Sequence, residues 1–397
     1  MKNAIGNPKS IRENNQKVLA QYLFEYGTTS RSKLAEVFHL SAPSIYKNIS
    51  QLIDQNIVLE IGEGGSEGGR RPMLISFNYN LGYIVSIDLK GECLKLVLSN
   101  LALTVIGREE IPIHEYINGH ELFLKAIEVI NQLMEQNHIE QDRLLSIAIG
   151  MPGSINQQTG QVNMPPMWFN LGNVKYIEEM IAEAYPSCRI IMKNDINMAA
   201  IGEMRYGTGK GCKNFVYISV GMGVGAGIIL NGHLYEGSRF SSGEIGYSKT
   251  GINTADILEN EISVRAIMNQ IIENRNINED NRIEQFLTED KKTLNLEGIN
   301  KALHNADEDL LEIMDYVTQK LCLILTNICT LLDIELIIIG GKIVEIDYDF
   351  KSKLSDMINK TLILGVKTEY SSLQGDEVIL GGFGLSLDEI LKEIAIY

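Results

Sequence analysis

The chain has 397 residues, of which 45% are hydrophobic and 22% charged, and its net charge is −16 with an isoelectric point near 4.9. This length fits about three domains of ~100–200 residues each. The apolar runs are too short for a membrane helix, the N-terminus lacks the apolar core of a signal peptide, and the five cysteines form no CxxC pair. We therefore expect a soluble cytoplasmic protein without a disulfide framework.

The first predicted elements are three helices. The first covers roughly residues 11–26, and Ser30 is placed to cap the second. His39-Leu40-Ser41 then ends the second helix in a tight turn. Ser41 is expected to cap the third helix, with Pro43 in its first turn. Two short helices joined by so tight a break are typical of a helix-turn-helix.

The third helix has an apolar face, formed by Ile45, Ile49, Leu52 and Ile53. Its polar residues are interpreted as the opposite face, where short hydrogen-bonding side chains and a cation suit phosphates and base edges in a DNA major groove. The DNA contacts predicted on this helix are Ser41, Ser44, Lys47, Asn48 and Gln51.

A glycine-rich hairpin follows this helix. Its strands are predicted at 58–61 and 73–77, and the turn between them ends in Arg70 and Arg71, which could reach backbone phosphates or a minor groove. Helical hairpins with surface Lys and Arg also occur in domains that never bind nucleic acid, but the hairpin next to them favours a winged helix-turn-helix. We assign this DNA-binding domain to residues 1–78.

The charge is distributed unevenly along the chain. Residues 1–78 carry nine Lys or Arg against seven Asp or Glu, a net charge of +2, so that the remaining 319 residues carry −18. An acidic body is repelled by DNA. The N-terminal domain is therefore the part of the chain that can present a basic face to DNA.

From about residue 82 onward, strands alternate with helices, which indicates an α/β body. A strand, a glycine-containing turn and a second strand occur at 87–99 and again at 218–230. This repetition predicts two similar lobes that face each other across a cleft. The predicted boundaries are 79–193 for the first lobe, with a C-terminal helix at 384–397 packing back on it, and 194–383 for the second.

Four motifs lie at the expected cleft. They are the glycine-rich segment 219–227 with Gly243-Glu244-Ile245-Gly246-Tyr247 after it, the segment 194–203, Ile149-Gly150-Met151-Pro152-Gly153, and Ile339-Gly340-Gly341. Together they resemble the signature of the ROK family of repressors and sugar kinases. The N-terminal domain resembles the repressor branch, such as the xylose-operon and N-acetylglucosamine-operon repressors. The resemblance spans nearly the whole chain and implies an actin-like fold, a sugar site between the lobes, and a homodimer or tetramer.

The resemblance also implies site residues. Asp195 matches the general base of the family's kinases, and in a repressor the same carboxylate can accept the sugar hydroxyl as a hydrogen bond. Two positions have alternatives: Glu259 is equally a solvated charge or a helix cap, and Tyr247, which replaces the family's His, is otherwise a packing residue. Trp168 could stack on a sugar or anchor a loop. The implied sugar contacts are Gly153, Asn194, Asp195, Glu244, Tyr247 and Glu259.

The chain departs from the family pattern at two kinds of site. Where the kinases have an Asp-x-Gly-Gly-Thr turn for phosphate, this chain has Glu92 at a phosphate-contact position, and Met222 replaces a Thr in the second phosphate loop. We therefore predict no kinase activity. The segment 248–257, where many members bind zinc through Cys residues, contains no Cys, so no zinc or other cofactor is expected and the loop should close by packing alone.

The expected function is that of a sugar-responsive transcriptional repressor of carbohydrate-utilisation genes, such as those of xylose metabolism. It would bind operator DNA as a dimer and respond to a sugar in the cleft, with the linker near Asn78-Tyr79-Asn80 transmitting lobe closure. The alternative is a sugar kinase that retains a DNA-binding domain. The sequence leaves open the sugar, the operator, repression versus activation, and dimer versus tetramer.

Overall fold

The structure is a computed structural model that describes residues 8–63, 71–91, 93–116, 118–155, 159, 162–163, 170–274, 286, 295–362 and 365–394. Three parts follow one another along the chain: an N-terminal unit and two α/β lobes. Within the described residues, no helix is both long enough and apolar enough to cross a membrane.

The N-terminal unit contains three helices and a small antiparallel sheet. Its elements are α1 (Pro8–Tyr26), β1 (Thr29–Ser30), α2 (Arg31–Phe38), α3 (Ala42–Asp54), β2 (Val58–Glu63) and β3 (Met73–Phe77), with the sheet order β1-β3-β2. The Ser30 hydroxyl accepts a hydrogen bond from the backbone N–H of Lys33 at 3.2 Å, which confirms the predicted cap of α2. His39 ends α2 with a φ of 51°, and Ser41 precedes α3 without making a side-chain cap bond.

Lobe 1 is built on a five-stranded sheet. Its elements are β4 (Tyr83–Lys90), β5 (Cys93–Asn100), β6 (Val105–Pro112), α4 (Gly119–Gln136), β7 (Leu144–Met151), β8 (Ser154–Ile155), β9 (Val162–Asn163), α5 (Val174–Ala184) and β10 (Arg189–Asn194). The sheet order is β10-β7-β4-β5-β6. The first three strands in sequence pair antiparallel, whereas β7 and β10 join in parallel.

Lobe 2 repeats this topology. Its sheet is formed by β11 (Phe215–Val220), β12 (Val224–Leu230), β13 (His233–Leu234), β14 (Leu336–Gly340) and β15 (Lys367–Tyr370). The order is β13-β12-β11-β14-β15, again with three antiparallel strands followed by two parallel ones. The predicted repetition is therefore confirmed. The helices of lobe 2 are α6 (Asp195–Tyr206), α7 (Glu259–Ile262), α8 (Val264–Asn274), α9 (Leu296–His304), α10 (Glu308–Leu332) and α11 (Phe350–Thr361).

The last helix, α12 (Glu377–Ile394), begins seven residues before the predicted position 384. It crosses α6 so closely that a Cβ on Gly381 would lie 1.8 Å from the carbonyl oxygen of Met198, so only glycine fits there. On its other side it contacts lobe 1, where the hydroxyls of Ser386 and Ser146 lie 2.9 Å apart. The helix therefore packs against both lobes.

The N-terminal unit is fastened to lobe 1. The Tyr79 hydroxyl donates a hydrogen bond to the carbonyl oxygen of Phe24 at 2.9 Å, and Arg143 Nε donates to the carbonyl oxygen of Leu81 at 2.9 Å. A single buried cluster includes Leu23, Ile49 and Phe77 of the unit, Ile84 and Val97 of lobe 1, and Ile379 and Phe383 of α12. The segment that we expected to act as a linker is thus part of a packed joint.

Candidate functional site

One group of candidate residues lies where β10 ends and α6 begins. Asn194 caps α6, because its Oδ1 accepts a hydrogen bond from the backbone N–H of Asn197 at 2.9 Å. Its Nδ2 donates to the carbonyl oxygen of Gly153 at 3.2 Å and to Oδ1 of Asp195 at 3.1 Å. That Oδ1 also accepts from the backbone N–H of Ile196 at 2.8 Å. The structure therefore brings Gly153, Asn194 and Asp195 together just past the ends of two neighbouring parallel strands.

Asp195 lies in a buried and acidic environment. Burial, then the negative charge of Asp88, and to a smaller extent that of Glu244, raise the pKa of Asp195 to about 8. At neutral pH, most molecules therefore carry a proton on this carboxyl, which can then donate a hydrogen bond to a ligand oxygen. The sequence predicted a carboxylate that accepts one, so the structure changes the role that this group can take.

Lobe 2 contributes Glu244, Tyr247 and Glu259. Burial raises the pKa of Glu244, and the charge of Glu259 adds to the effect. Burial and then the charges of Glu259 and Glu244 raise the pKa of Tyr247, which is 49% exposed. These charge effects show that Glu244 and Tyr247 lie within electrostatic reach of Glu259. Because Glu244 also raises the pKa of Asp195, it lies within electrostatic reach of the group where β10 ends and α6 begins.

Glu259 points into the glycine-rich hairpin between β11 and β12. Its Oε2 accepts a hydrogen bond from the backbone N–H of Val224 at 3.1 Å. A Cβ on Gly223 or Gly246 would lie 3.3 Å or 3.1 Å from the same oxygen, so the backbone approaches the carboxylate closely. Arg265 Nη2 is 3.9 Å from its Oε1. Glu259 is thus partly buried and bonded outside its own helix, unlike the solvated charge or the helix cap that we considered.

The hairpin turns of the two lobes approach each other. Met222 lies in the turn between β11 and β12, where the backbone N–H of Gly221 donates to the carbonyl oxygen of Gly223 at 2.9 Å. Its Cγ is 3.9 Å from the position that a Cβ on Gly91 would take in the turn between β4 and β5. The Met222 side chain, which is 37% exposed, therefore lies close to the turn of lobe 1.

The loop 248–257 is held by hydrogen bonds, so the expectation that it closes by packing alone was wrong. Lys249 Nζ donates to the carbonyl oxygens of Asn253 and, at 3.3 Å, of Thr254. The backbone N–H of Asn253 donates to Oδ2 of Asp256 at 2.7 Å. Across the described part of the chain, no three His, Cys, Asp or Glu side chains are grouped in a way that could hold a metal ion.

The predicted DNA contacts on α3 separate into exposed and buried residues. Ser41 and Lys47 are exposed, and Ser44 is half-buried. Gln51 is also half-buried and accepts a hydrogen bond from Gln16 Nε2 at 2.7 Å.

Asn48 does not lie on the exposed face of α3, and the sequence interpretation of its position was wrong. The residue is only 4% exposed, and its Nδ2 donates to the carbonyl oxygen of Ser44 at 2.9 Å. The reason is helical geometry: Asn48 is three residues after Ile45 and four before Leu52, so it shares the face of these two core residues. Its polarity misled the assignment.

Tyr46 is an exposed residue of α3 that the sequence interpretation missed. It is 64% exposed and adjacent to Lys47. The guanidinium of Arg31 lies 5.4 Å from the centre of its ring and also pairs with Glu60 at 2.7 Å. The sequence contained a signal for this exposure. Ile45 faces the core, and the next residue along a helix is rotated by about 100°, which here turns Tyr46 towards the surface.

The remaining residues singled out in the sequence are Arg70, Arg71, Glu92 and Trp168. Arg71 is exposed just before β3, whereas Arg70, Glu92 and Trp168 lie outside the described residues.

The fold and the cleft define a class of protein: a two-lobed α/β body of the actin-like type, with carboxyl groups from both lobes at the cleft and an added N-terminal helical unit. The chain belongs to the ROK family, whose model matches residues 84–385. The predicted family is thereby confirmed.

Relatives match over nearly the full length. The xylose repressor of Caldicellulosiruptor bescii is 26% identical over 410 residues, which cover 98% of this chain and 99% of the relative. The DNA-binding transcriptional dual regulator NagC of Escherichia coli K12 is 23% identical over 404 residues, which cover 99% and 97%.

Solved structures support the fold. The crystal structure of a ROK family transcriptional regulator, described as a homolog of the E. coli MLC protein, superposes with a TM-score of 0.74 at 23% identity and covers 97% of this chain and 98% of its own. The ROK hexokinase of Thermus thermophilus has a TM-score of 0.62 at 17% identity and covers 78% of this chain and 99% of its own. The hexokinase thus matches a smaller part of the chain than the regulator does.

Proposed function

We propose that this protein is a sugar-responsive transcriptional repressor of carbohydrate-utilisation genes. It binds operator DNA in the cytoplasm as a dimer through an N-terminal winged helix-turn-helix, and a sugar bound between the lobes releases it. The observation that carries the proposal is the packed joint between the N-terminal unit and lobe 1. Because the two share one hydrophobic core, a movement of the lobe can change the position of the N-terminal unit. Full-length relatives named as repressors and regulators support it.

The DNA-binding surface is the exposed side of α3 together with the hairpin of β2 and β3. Lys47 and Arg71 supply positive charge for phosphates, and Ser41 and Tyr46 supply a hydroxyl and an aromatic ring for groove contacts. Asn48 is not part of this surface, since its side chain is buried. The charge of −18 beyond residue 78 keeps the two lobes away from the duplex.

The effector is a neutral sugar. Asp195 donates a hydrogen bond to one hydroxyl in its protonated form, while Asn194 and Glu244 supply further polar atoms from the two sides of the cleft. A sugar phosphate would bring a negative charge next to several acids, which costs binding free energy. D-xylose is the first candidate because several relatives are named xylose repressors, and N-acetylglucosamine is the second.

The response to the sugar is a movement of lobe 2 relative to a unit formed by the N-terminal domain and lobe 1. The hydrogen bond from Tyr79 to Phe24 resists bending between the N-terminal domain and lobe 1, and the bond from Arg143 to Leu81 holds the segment that joins them on lobe 1. In a dimer, the movement changes the separation of the two winged domains, which must match a half-site spacing of ~34–36 Å. A coupling free energy of ~1–3 kcal/mol between the two ligands is typical for such a change.

A sugar kinase with an added DNA-binding domain is the second candidate, because the ROK hexokinase shares the fold of the lobes. Met222 argues against it, because its side chain lies next to the turn of lobe 1 and offers no hydrogen bond to a phosphate. Sugar-dependent release of ADP that disappears in Asp195→Asn would support the kinase instead.

The decisive experiment is fluorescence anisotropy of the full-length protein on DNA from upstream of its own gene, at fixed salt. The titration is repeated with D-xylose, N-acetylglucosamine, other neutral sugars and their phosphates. We expect tight binding that one neutral sugar weakens by about 5- to 150-fold. Binding that no sugar alters would contradict the proposed effector response, and the absence of any binding would contradict the DNA function.

A further inference from the structure

A loop of lobe 2 reaches across the cleft to lobe 1. This segment, residues 236–243, follows β13 and leads directly into Glu244; we call it the latch loop. Its first residue, Glu236, and its interior residues Phe240 and Ser241 contact lobe 1 at two separate places. Each of these places is next in sequence to a residue of the candidate effector site.

The first contact is an ion pair between Lys193 and Glu236. Lys193 Nζ is 2.8 Å from Glu236 Oε1, and the two side chains are 17% and 30% exposed. Lys193 is the last residue before Asn194 and Asp195, so the pair joins the start of the latch loop to strand β10 of lobe 1, directly before these two effector residues. Partial burial strengthens the attraction relative to a fully exposed pair.

The second contact is made by Ser154, which immediately follows Gly153. Its hydroxyl donates to the carbonyl oxygen of Phe240 at 2.8 Å and lies 2.8 Å from the hydroxyl of Ser241. Ser154 is only 1% exposed, so its hydroxyl depends on these partners from the other lobe. Losing them would leave a buried polar group without a hydrogen bond.

The backbone of the latch loop is itself constrained. Phe240 has a φ of 57°, in the left-handed region that bulky residues rarely adopt. Such a conformation persists where surrounding contacts hold it. The bond from Ser154 to the carbonyl oxygen of this same residue is a contact of that kind, and it comes from lobe 1.

From these contacts we infer that Lys193, Glu236 and Ser154 are positioning residues that fasten the two lobes and set Glu244 opposite Asp195. The inference rests on the proposed function, because the effector binds between groups that this latch aligns. Opening the cleft requires that both contacts break. The latch thereby sets how readily the lobes separate and how well the effector groups are aligned before a sugar arrives.

The test is hydrogen exchange, followed by mass spectrometry, on the full-length protein without any ligand. The variants are Lys193→Glu, Glu236→Lys and the double variant that exchanges the two charges. Each single variant should accelerate exchange about fivefold in the segments 189–197 and 236–248, the ratio that corresponds to a pair worth ~1 kcal/mol. The double variant should restore slow exchange, which a general loss of stability would not.

The matched control is Lys353→Glu, which breaks an ion pair of the same length, 2.8 Å to Asp315, inside lobe 2. It should leave exchange in both cleft segments unchanged. If a charge reversal at residue 193 or 236 prevents folding, milder substitutions test the same contacts. Glu236→Gln removes the charge of the ion pair, and Ser154→Ala removes the hydroxyl that bonds to Phe240. Unchanged exchange in every variant, or a double variant that exchanges faster than either single one, would overturn the inference.

Operator binding is measured separately on the same samples, so the two ideas can fail independently. A wild-type protein that binds no DNA would contradict the proposed function and leave the exchange result standing. A protein that binds DNA and is released by D-xylose, but shows no change of exchange in the variants, would contradict the latch alone.

Discussion

Replacing Asp195 by asparagine should change the pH dependence of stability in a defined direction. In the folded protein the pKa of Asp195 is about 8, whereas an aspartate in an unfolded chain has a pKa near ~3.9. Between these values the folded state binds one more proton than the unfolded state. Stability contributed by this group is therefore present at low pH and is lost as the pH rises towards 8, with a slope of ~1.4 kcal/mol per pH unit.

Asparagine does not titrate and resembles the protonated acid in shape. From pH 5 to pH 7, the free energy of unfolding of Asp195→Asn should therefore rise relative to the wild type by ~2–3 kcal/mol, the product of two pH units and that slope. The two proteins should be similarly stable only below pH ~3.9, and at pH 5 the variant should already be more stable by ~1.5 kcal/mol. Groups that titrate alike in both proteins cancel in the difference.

The measurement is urea unfolding followed by circular dichroism at pH 5, 6 and 7. Asp315→Asn is the control, because hydrogen bonds from Lys353 and then Tyr348 lower the pKa of Asp315. Asp315 is thus ionised in both states throughout this range, and the stability difference of its variant should stay constant. If the difference between the wild type and Asp195→Asn is the same at pH 5 and pH 7, our account of a protonated acid in the cleft is refuted.

Three further predictions concern the N-terminal unit. Lys47→Ala should weaken operator binding on every sequence and reduce the slope of log K against log salt by about one, measured by anisotropy at several salt concentrations. Asn48→Ala should leave operator affinity within about twofold in the same assay, since a buried amide contacts no base; a large loss of sequence preference would contradict this. Tyr79→Phe should lower the free energy of unfolding by ~1 kcal/mol through loss of its bond to the carbonyl oxygen of Phe24, as urea unfolding can determine.

Local patterns allowed much of the fold to be predicted from the sequence. The repeated strand pairs at 87–99 and 218–230 predicted the two lobes, and both sheets have the same strand order. The hairpin strands expected at 58–61 and 73–77 are β2 (Val58–Glu63) and β3 (Met73–Phe77). These features depend on periodicity and on turn residues, which are encoded over short stretches of chain.

The properties that sequence patterns did not give depend on distant parts of the chain. The pKa of Asp195 reflects burial first, and then the charges of Asp88 and Glu244, which lie 107 and 49 residues away in sequence. Loop 248–257 is closed by a lysine whose ammonium group meets two backbone carbonyls, an arrangement without a sequence signature. The burial of Asn48 could have been found, because its spacing from Ile45 and Leu52 outweighs its polarity.

The protonation of Asp195 bears on why a fold shared with sugar kinases can serve as a sensor. A general base must be ionised to take a proton, and with a pKa of about 8 only about a tenth of the molecules would have an ionised Asp195 at pH 7. A binding group has no such requirement, because a protonated carboxyl pairs with a hydroxyl oxygen as well as a carboxylate pairs with a hydroxyl proton. The Met222 side chain, in the turn between β11 and β12, offers no hydrogen bond to a phosphate. We propose that both features lower the capacity for phosphoryl transfer and leave the capacity for sugar recognition. Placing a threonine at position 222 alone should then not produce kinase activity, as an ADP-release assay of Met222→Thr would test.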